Sequence, residues 1–252
     1  MDIDLPAILF WAVLACGLIW LGDVLLFRNR RLEADAEAPD PTLVEYAKSL
    51  FPVLFLVLIL RSFLAEPYQI PSESMVPTLE VGDFILVNKY AYGLRLPVFG
   101  TKVLDVGDPQ PGDVMVFIPP HDPRYFIKRV IGVPGDRIRY ENKVLYINDE
   151  RLSYELVGQV GGTRNRPVNE FIETINGVEH SIYRTTRPER AREWEIPEGR
   201  YLMMGDNRDM SEDSRVWGLA HESAIVGKAV AIWMHKDPGF KLPTFERNQW
   251  LN

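Results

Sequence analysis

Two serines in a turn between two prolines are the first residues of the chain that could do chemistry. The segment 70–79 (IPSESMVPTL) places Ser72 and Ser74 between Pro71 and Pro77. Each proline fixes its own φ at about −65° and pushes the preceding residue towards extended geometry, so few backbone conformations remain. A hydroxyl nucleophile benefits from such rigidity. Serine and proline also mark ordinary loops, and this segment alone leaves both interpretations open.

A serine nucleophile needs a base, and the sequence offers histidine or lysine. The histidines stand in no recognisable catalytic frame, and each is predicted to be a surface or loop residue: His121, His180, His221 and His235. Lys128 lies in the middle of an apolar stretch and shares a face with Phe126 and Val130 if that stretch is a strand. Such a lysine either reaches water past a sheet edge or loses its hydration, which lowers its pKa and lets it act as a base.

A third segment, residues 201–215 (YLMMGDNRDMSEDSR), runs from an apolar stretch into a loop with many charges of both signs. This pattern fits a solvated turn. It also fits a second role, because hydroxyls and carboxylates can orient a buried ammonium as the third member of a catalytic triad orients its base.

Composition and charge exclude several classes of function. The 252 residues are 46% hydrophobic and 25% charged, which is ordinary for a folded protein. The net charge is −7 and no basic run exceeds Arg30–Arg31, so nucleic acid is not expected as a partner. The single cysteine, Cys16, excludes an internal disulfide and any Cys-x-x-Cys site, and its apolar surroundings predict a packed thiol.

The amino-terminal region predicts two membrane spans. Residues 5–22 carry no charge and are followed by Arg28, Arg30 and Arg31, so we predict a transmembrane helix over 1–27. A cleavable signal peptide is the competing interpretation, but its basic residues would precede the apolar run. The second span is predicted over 44–65. Its apolar centre, 50–60, is short enough to fit a buried or re-entrant helix as well, unless Lys48 and Arg61 reach the interfaces.

The segment between the spans predicts their orientation. Residues 32–42 are acidic, rich in alanine and interrupted by two prolines, which is typical of a solvated linker. The loop 28–43 and the start of the second span carry four basic residues, whereas residues 1–4 carry none. This loop is therefore predicted to be cytoplasmic, and the rest of the chain to lie across the membrane.

Beyond residue 65 the sequence predicts a mainly β, antiparallel domain. Short apolar or alternating runs indicate strands at 84–87, 114–118, 126–133, 144–148, 200–204 and 225–234. Gly-Asp pairs before several of them indicate turns, in which aspartate caps its own turn. The more polar residues 138–199 are predicted to form a second β lobe, inserted into a catalytic β domain made of 66–137 and 200–252.

The three chemical segments, in this order behind a membrane anchor, resemble bacterial type I signal peptidases. The similarity extends from the first span to about Trp233. It is carried by Ser72-x-Ser74-Met75-x-Pro77-Thr78-Leu79, by Lys128-Arg129-x-x-Gly132-x-Pro134-Gly135-Asp136 and by Gly205-Asp206-Asn207-Arg208-Asp209-x-Ser211-x-Asp213-Ser214-Arg215.

The resemblance implies a role for each residue of these motifs. Ser74 is the nucleophile and Lys128 the general base, while the Ser72 hydroxyl and the Ser74 backbone N–H form the oxyanion hole. Ser211 orients the lysine. Four charged residues support the loop: Asp206, Asp213, Arg129 and Arg215. The resemblance also implies shallow apolar pockets for small substrate side chains, lined by Ile70, Ile85, Val116, Ile127, Met75 and Phe126.

Two positions depart from the family pattern. Glu73 stands where many members have glycine, and Met210 stands where asparagine is common. Both positions are compatible with the implied mechanism, but they bear on the shape of the loop and on substrate preference. The disulfide found in the second lobe of some members cannot form in a chain with one cysteine.

We therefore expect a serine endopeptidase of the bacterial cytoplasmic membrane that removes signal peptides from exported preproteins after a small-x-small motif. Its expected partners are these signal peptides and the phospholipid membrane, with room for a functional partnership with the export translocon. The resemblance implies neither a cofactor nor a metal. A self-cleaving repressor of the LexA type shares the serine and lysine chemistry but needs a DNA-binding head. An inactive, anchored β domain that only binds peptides is the second alternative.

Overall fold

The computed structural model describes residues 5–34, 39–63, 65–95, 102–163 and 166–251, and it begins with two apolar helices. The first helix, α1 (Leu5–Gly22), continues through a π-helical segment, Asp23–Phe27, into α2 (Arg28–Ala34). The second apolar helix is α3 (Thr42–Phe63), which contains Pro52. Both predicted helices are therefore present, and α3 begins two residues before the predicted span. Leu64, at the end of that span, lies outside the described residues.

Both helices are long and apolar enough to cross a membrane. A segment of 27 residues from Ala7 to Glu33 has a mean hydropathy of 2.2, and Thr42–Ile59 has 1.8. Most of their apolar side chains are exposed, Trp11, Leu18 and Leu25 among them. An apolar helix that leaves these side chains uncovered is typical of a segment that faces lipid.

The segment between the two helices is more structured than the sequence predicts. Its first residues, up to Ala34, continue the helix, because leucine, glutamate and alanine are good helix formers. Arg31 pairs with Asp23 at 2.8 Å and with Asp40 at 2.7 Å, and Lys48 lies 3.6 Å from Asp40. The two apolar helices thus share a cluster of ion pairs at this end. With residues 93–105, they form the first of two compact units.

The strands lie beyond the second apolar helix. In chain order they are β1 (Ala65–Gln69), β2 (Asp83–Asn88), β3 (Leu94–Arg95), β4 (Lys102–Leu104), β5 (Val114–Phe117), β6 (Phe126–Gly132), β7 (Arg137–Glu141), β8 (Val144–Ile147), β9 (Glu150–Arg151), β10 (Ser153–Thr163), β11 (Arg166–Ile175), β12 (Val178–Thr185), β13 (Arg192–Glu195), β14 (Arg200–Met204), β15 (Ala220–His221), β16 (Ile225–His235) and β17 (Gln249–Trp250). A short helix, α4 (Ser214–Trp217), precedes β15. All six predicted strands are present, and the mainly β fold is confirmed.

The second compact unit comprises Glu66–Tyr92 and Val106–Asn252. Its largest sheet has the order β1-β2-β16-β5-β6-β14-β15, with β17 paired to β16. The ladders from β2 through to β15 and the ladder between β16 and β17 are antiparallel. Strand β6 pairs with β5 on one edge and with β14 on the other, and all of its residues except Phe126 are buried. This central position is what buries Lys128.

The segment between β6 and β14 adds two further sheets, with the orders β13-β7-β8-β9 and β10-β11-β12. The long strands β10, β11 and β12 were not among the predicted ones, because their polar and glycine-rich sequences lack a clear alternation of apolar residues. The division into a catalytic domain and an inserted lobe over 138–199 stays a prediction.

Turn chemistry before the strands follows the sequence closely. Gly82 and Gly112 have φ of 98° and 102°, a region that residues with a Cβ rarely adopt. The Asp83 carboxylate accepts a hydrogen bond from the backbone N–H of Glu80 at 2.8 Å, and Asp113 accepts one from Gln110 at 3.0 Å. These bonds confirm that the aspartates cap their own turns and thereby fix where β2 and β5 begin.

Candidate active site

Ser74 lies in a single 3₁₀ turn, Glu73–Met75, that follows the extended residue Ser72. The turn is held at both ends: the Leu79 backbone N–H donates to the Met75 carbonyl at 2.9 Å, and the Asn207 backbone N–H donates to the Ser74 carbonyl at 3.1 Å. The first and third motifs are therefore bonded directly to one another. Ser74 itself is buried.

Lys128 reaches this turn from the centre of the main sheet. Its Nζ donates a hydrogen bond to Ser74 Oγ at 2.6 Å, and only 3% of the residue is exposed. The ammonium also lies 5.6 Å from the centre of the Phe126 ring. Of the two settings open to this lysine, an exposed sheet edge or a desolvated interior, the structure shows the second.

The surroundings of Lys128 favour its neutral form. Burial lowers the pKa of Lys128 from its ordinary value of 10.5 to about 8, although the carboxylates of Asp213, Asp206 and Glu212 oppose the change. A neutral amine is a proton acceptor, and at pH 7–8 a lysine with this pKa is deprotonated in a substantial fraction of molecules. Lys128 thus has the geometry and the pKa of a general base for Ser74.

A buried ion pair fixes the strand that carries the lysine. Arg129 donates from Nε to Asp206 Oδ1 at 2.9 Å and from Nη2 to Oδ2 at 2.7 Å, and it also donates to the Gly112 carbonyl at 2.7 Å. Thr78 donates to Asp206 Oδ2 at 2.5 Å. Burial alone would raise the pKa of Asp206, but the Arg129 guanidinium outweighs it and holds the pKa below its usual range. All three motifs meet in this cluster.

A second ion pair shapes the loop after β14. The Asp213 carboxylate accepts from Arg215 Nε and Nη2, both at 2.8 Å, and from the Gly205 backbone N–H at 3.1 Å. Burial would raise the pKa of Asp213, but the bonds from Arg215 lower it below its ordinary value. The charge pair therefore stays ionised and closes the loop on itself.

Ser211 and Ser72 both lie near Ser74 but differ in their exposure to solvent. The Ser211 hydroxyl oxygen is buried and has no hydrogen-bond partner of standard geometry among the described residues, although it weakly lowers the pKa of Asp213. Ser72 is exposed, and its Oγ lies 3.4 Å from Ser74 Oγ. Ser72 is therefore a solvent-exposed residue whose hydroxyl lies beside the nucleophile.

Gly205 lets these pieces pack against one another. A Cβ at this position would stand 2.3 Å from both the Ser74 carbonyl oxygen and Ser211 Oγ. Those two atoms are thus at most twice that distance apart, and only a residue without a side chain fits between them. Both Gly205 and Thr78 lie inside the quoted motifs, but sequence reasoning assigned neither of them a role.

Comparison of the sequence with known proteins identifies the family of the chain. The family described as "Signal peptidase, peptidase S26" matches residues 43–234, which is well over half of the chain. Signal peptidase I from Pseudomonas aeruginosa is 49% identical over 98% of both chains, and that from Pseudomonas fluorescens is 48% identical over the same shares. The chain belongs to the signal peptidase I family. It is therefore a serine peptidase, and thus a hydrolase.

One further relative and one solved structure are also similar to this chain. Signal peptidase I from Haemophilus influenzae is 37% identical over 82% of this chain and 72% of its own. A crystal structure of a signal peptidase I from Enterococcus faecalis V583 is 25% identical and covers 49% of this chain and 98% of its own. Its TM-score of 0.33 carries no argument about the fold.

Five of the six residues expected to line pockets in this signal peptidase lie in one buried cluster, which we call the β2–β5 core: Ile70, Met75, Ile85, Val116 and Ile127. Phe126 instead packs against the neighbouring cluster around Phe117 and Val130, because alternate residues of β6 point to opposite faces. All five members of the core are nearly inaccessible to solvent. Their role in substrate binding stays a prediction.

None of the four histidines is hydrogen bonded to Ser74 in the described part of the chain. His121 lies 3.6 Å from Glu212, His221 accepts from the Ser223 backbone N–H, and His235 pairs with Asp83 at 2.7 Å. The prediction of a surface or loop position is wrong for His180, which lies buried in β12 and is hydrogen bonded to Glu173 at 3.0 Å. It is buried because a carboxylate in the lobe is available to pair with it.

The same carboxylate joins the inserted segment to the third motif. The Glu173 carboxylate accepts hydrogen bonds from both terminal nitrogens of Arg208, and the bond from Nη1 is 2.8 Å long. The backbone of Tyr183 donates to the Asp206 carbonyl and accepts from the Arg208 N–H, both at 2.9 Å. Strands β11 and β12 therefore hold the loop that carries Asp206. Sequence reasoning missed this contact, because nothing in the spacing links Glu173 to Arg208.

Proposed function

We propose that this signal peptidase cleaves signal peptides from exported preproteins with Ser74 as the nucleophile and neutral Lys128 as the general base. The hydrogen bond of 2.6 Å between a buried lysine and a serine in a rigid turn carries the proposal. Lys128 takes the proton of the Ser74 hydroxyl while Oγ attacks the scissile carbonyl carbon. It then gives this proton to the departing amine. Neutral Lys128 next takes a proton from a water molecule, whose oxygen attacks the acyl carbon of the acyl-enzyme. Lys128 returns this proton to Ser74 Oγ as the signal peptide leaves.

Cleavage of a purified precursor tests this function. The full-length protein in detergent is expected to cut a precursor with alanine at the first and third positions before the cut, whereas Ser74→Ala leaves it intact. Mass spectrometry of the products locates the cut. Binding of the precursor without cleavage by the unaltered protein would instead favour the inactive, peptide-binding β domain.

We assign stabilisation of the oxyanion to the Ser72 hydroxyl. Because such a donor acts mainly in the transition state, Ser72→Ala should lower kcat by about 10² to 10³ with little change in KM or Tm. Ser72→Thr should retain more activity than alanine if its stiffer rotamer still directs the hydroxyl to the carbonyl. A purely structural serine would lose activity only in step with thermal stability, and kcat measured beside Tm separates the two.

For substrate choice we propose that the β2–β5 core provides shallow sites for the side chains of a small-x-small motif. Ile127→Ala is expected to admit bulkier residues beside the cut and to spread cleavage over neighbouring bonds. Ile138→Ala serves as a matched control, since Ile138 is also a buried isoleucine but belongs to another cluster. Product masses from both variants would contradict the proposal if cleavage stayed at one bond in Ile127→Ala, or spread equally in both.

We further propose that the protein crosses the bacterial cytoplasmic membrane twice and acts on its outer side. The basic residues Arg28, Arg30 and Arg31 near the first helix support a cytoplasmic loop. Reporter fusions after residue 40 should therefore report the cytoplasm, and fusions after residue 100 the opposite side. If both fusions reported the same side, α3 would not be a span. A partnership with the export translocon fits this arrangement.

A further inference from the structure

A cavity with strongly basic walls lies next to the loop of the third motif. It has a volume of about 290 Å³, and five arginines line it: Arg187, Arg190, Arg192, Arg208 and Arg215. The chain as a whole has a net charge of −7, so this concentration of positive charge is not a general property of its surface. We call it the arginine cavity.

Two of the five guanidiniums are already neutralised. Arg208 is bonded to Glu173, and Arg215 is bonded to Asp213 and lies 3.3 Å from Glu189. The other three, on residues 187–192, form no ion pair within the described part of the chain. Arg192 Nε is also buried without a hydrogen-bond partner there. A buried donor without a partner is costly, so Arg192 Nε favours an acceptor from outside, while the Arg187 and Arg190 side chains are exposed.

The acidic residues that also line the arginine cavity do not supply this acceptor. Asp209 is bonded to Lys143 and to the Thr185 backbone N–H, and Glu189 lies near Arg215 and the Tyr140 hydroxyl. The remaining positive charge therefore favours an external anion. A guanidinium presents its donors in a planar fork, which matches the two oxygens of a carboxylate.

The arginine cavity and the apolar core approach the nucleophile turn through different elements. Ser211 lines the arginine cavity, and Ser211 Oγ approaches the Ser74 carbonyl oxygen through the space left by Gly205. The β2–β5 core approaches Ser74 from strands β2, β5 and β6 instead. A peptide whose residues before the cut bind at the apolar core therefore leaves the arginine cavity free for residues beyond the cut.

We propose that the arginine cavity is a subsite for acidic side chains in the segment that follows the cut, so that the enzyme prefers preproteins whose mature region begins with aspartate or glutamate. The proposal rests on the proposed function, since it assigns a substrate preference to the same site. The attraction is electrostatic, and it weakens as salt is added.

Precursors that differ in one residue after the cut test the subsite. Aspartate is scanned through the first six positions, each precursor being compared with its asparagine counterpart. For the full-length enzyme we expect kcat/KM to be about three- to tenfold higher with aspartate at one or two neighbouring positions. The double variant Arg190→Gln with Arg192→Gln should bring this ratio close to one. The charge reversal Arg190→Glu with Arg192→Glu should make the enzyme prefer precursors with lysine at the same positions.

Arg151→Gln is the matched control, because Arg151 is an exposed arginine of the same compact unit outside the arginine cavity. It should keep the preference for aspartate, and Tm shows that each variant is folded. The proposal is overturned if the unaltered enzyme shows no preference for aspartate, or if the cavity variants keep it. If no precursor is cut at all, the proposed function fails, and this result is distinct from cleavage without preference.

An anionic lipid headgroup is the competing occupant, and added vesicles distinguish it from the substrate. One outcome is that phosphatidylglycerol vesicles stimulate cleavage of the aspartate and asparagine precursors equally, and stimulate the cavity variants less. This result would assign the arginines to a lipid phosphate and overturn the subsite. A preference for aspartate that persists in neutral detergent without these vesicles supports the substrate.

Discussion

Lys128→Ala and Ser74→Ala are expected to be equally inactive, with the double variant no worse than either. The hydroxyl and the amine, 2.6 Å apart, act as one unit, so removing either partner removes the whole proton transfer. We expect kcat to fall by about 10⁴ or more, as for other nucleophile and base pairs. Single-turnover cleavage of a precursor measures these low rates. Losses that multiply in the double variant would show that the two groups act separately.

The pH profile identifies the base. Because the pKa of Lys128 is lowered to about 8, kcat/KM should rise about tenfold per pH unit below pH 8 and level off above it. The sign follows from the neutral amine being the active form. A profile governed instead by a group near pH 6.5, and removed by replacing a histidine, would assign the base to that histidine.

Lys128→Met separates catalysis from folding. A lysine pKa lowered from 10.5 to about 8 destabilises the native state by about 3 kcal/mol below pH 8. The unfolded chain binds the proton more tightly between pH 8 and 10.5, so this destabilisation declines as the pH rises through that range. The methionine variant should therefore be inactive but more stable at pH 7, with a gain in Tm that shrinks above pH 8. A variant that is inactive and less stable at pH 7 would contradict this account.

Gly205→Ala is the second substitution with a large expected effect. Its Cβ would stand 2.3 Å from the Ser74 carbonyl oxygen and 2.6 Å from the Ser211 Cβ, so the nucleophile turn or the facing loop must move. A displacement of about 1 Å at a reacting group costs about 10² in rate, and overpacking costs about 1–3 kcal/mol of stability. We expect kcat to fall at least about 10²-fold, together with a lower Tm.

Gly158→Ala provides the control for this effect. A Cβ at Gly158 meets no atom within 4 Å, and the residue is not among the glycines of positive φ. The change should leave kcat and Tm near their original values. Normal kcat in Gly205→Ala would mean that the close approach of Ser74 and Ser211 does not matter for catalysis.

Local features of the fold could be predicted because short-range physics determines them. The two apolar helices follow from long uncharged runs, and β6 follows from a stretch of apolar residues around Lys128. The aspartates of the Gly-Asp turns bond within three residues of themselves, so the sequence contains both partners. The helical continuation into α2 was missed, because acidic residues and prolines nearby suggested a solvated linker.

The candidate site also has features that the sequence could predict and features that it could not. Its residue types and order could be predicted, since each motif occupies a short stretch of sequence. The burial of Lys128 could not, because a lysine with apolar neighbours on its strand fits either an exposed sheet edge or a covered centre. The pairing of β6 with both β5 and β14 selects the covered centre. The buried position of His180 likewise required the carboxylate of Glu173 from a neighbouring strand.

The sequence by itself determined the membrane helices, the positions of the main strands and the family to which Ser74 and Lys128 point. Only the tertiary structure decided that Lys128 loses its water and that Glu173 holds Arg208. It also decided that three arginines without an ion pair among the described residues line one cavity with Ser211. The reason is physical: hydrogen-bonded turns and apolar runs depend on near neighbours in the chain. Desolvation and the summed charge of a cavity depend on residues that folding brings together from distant segments.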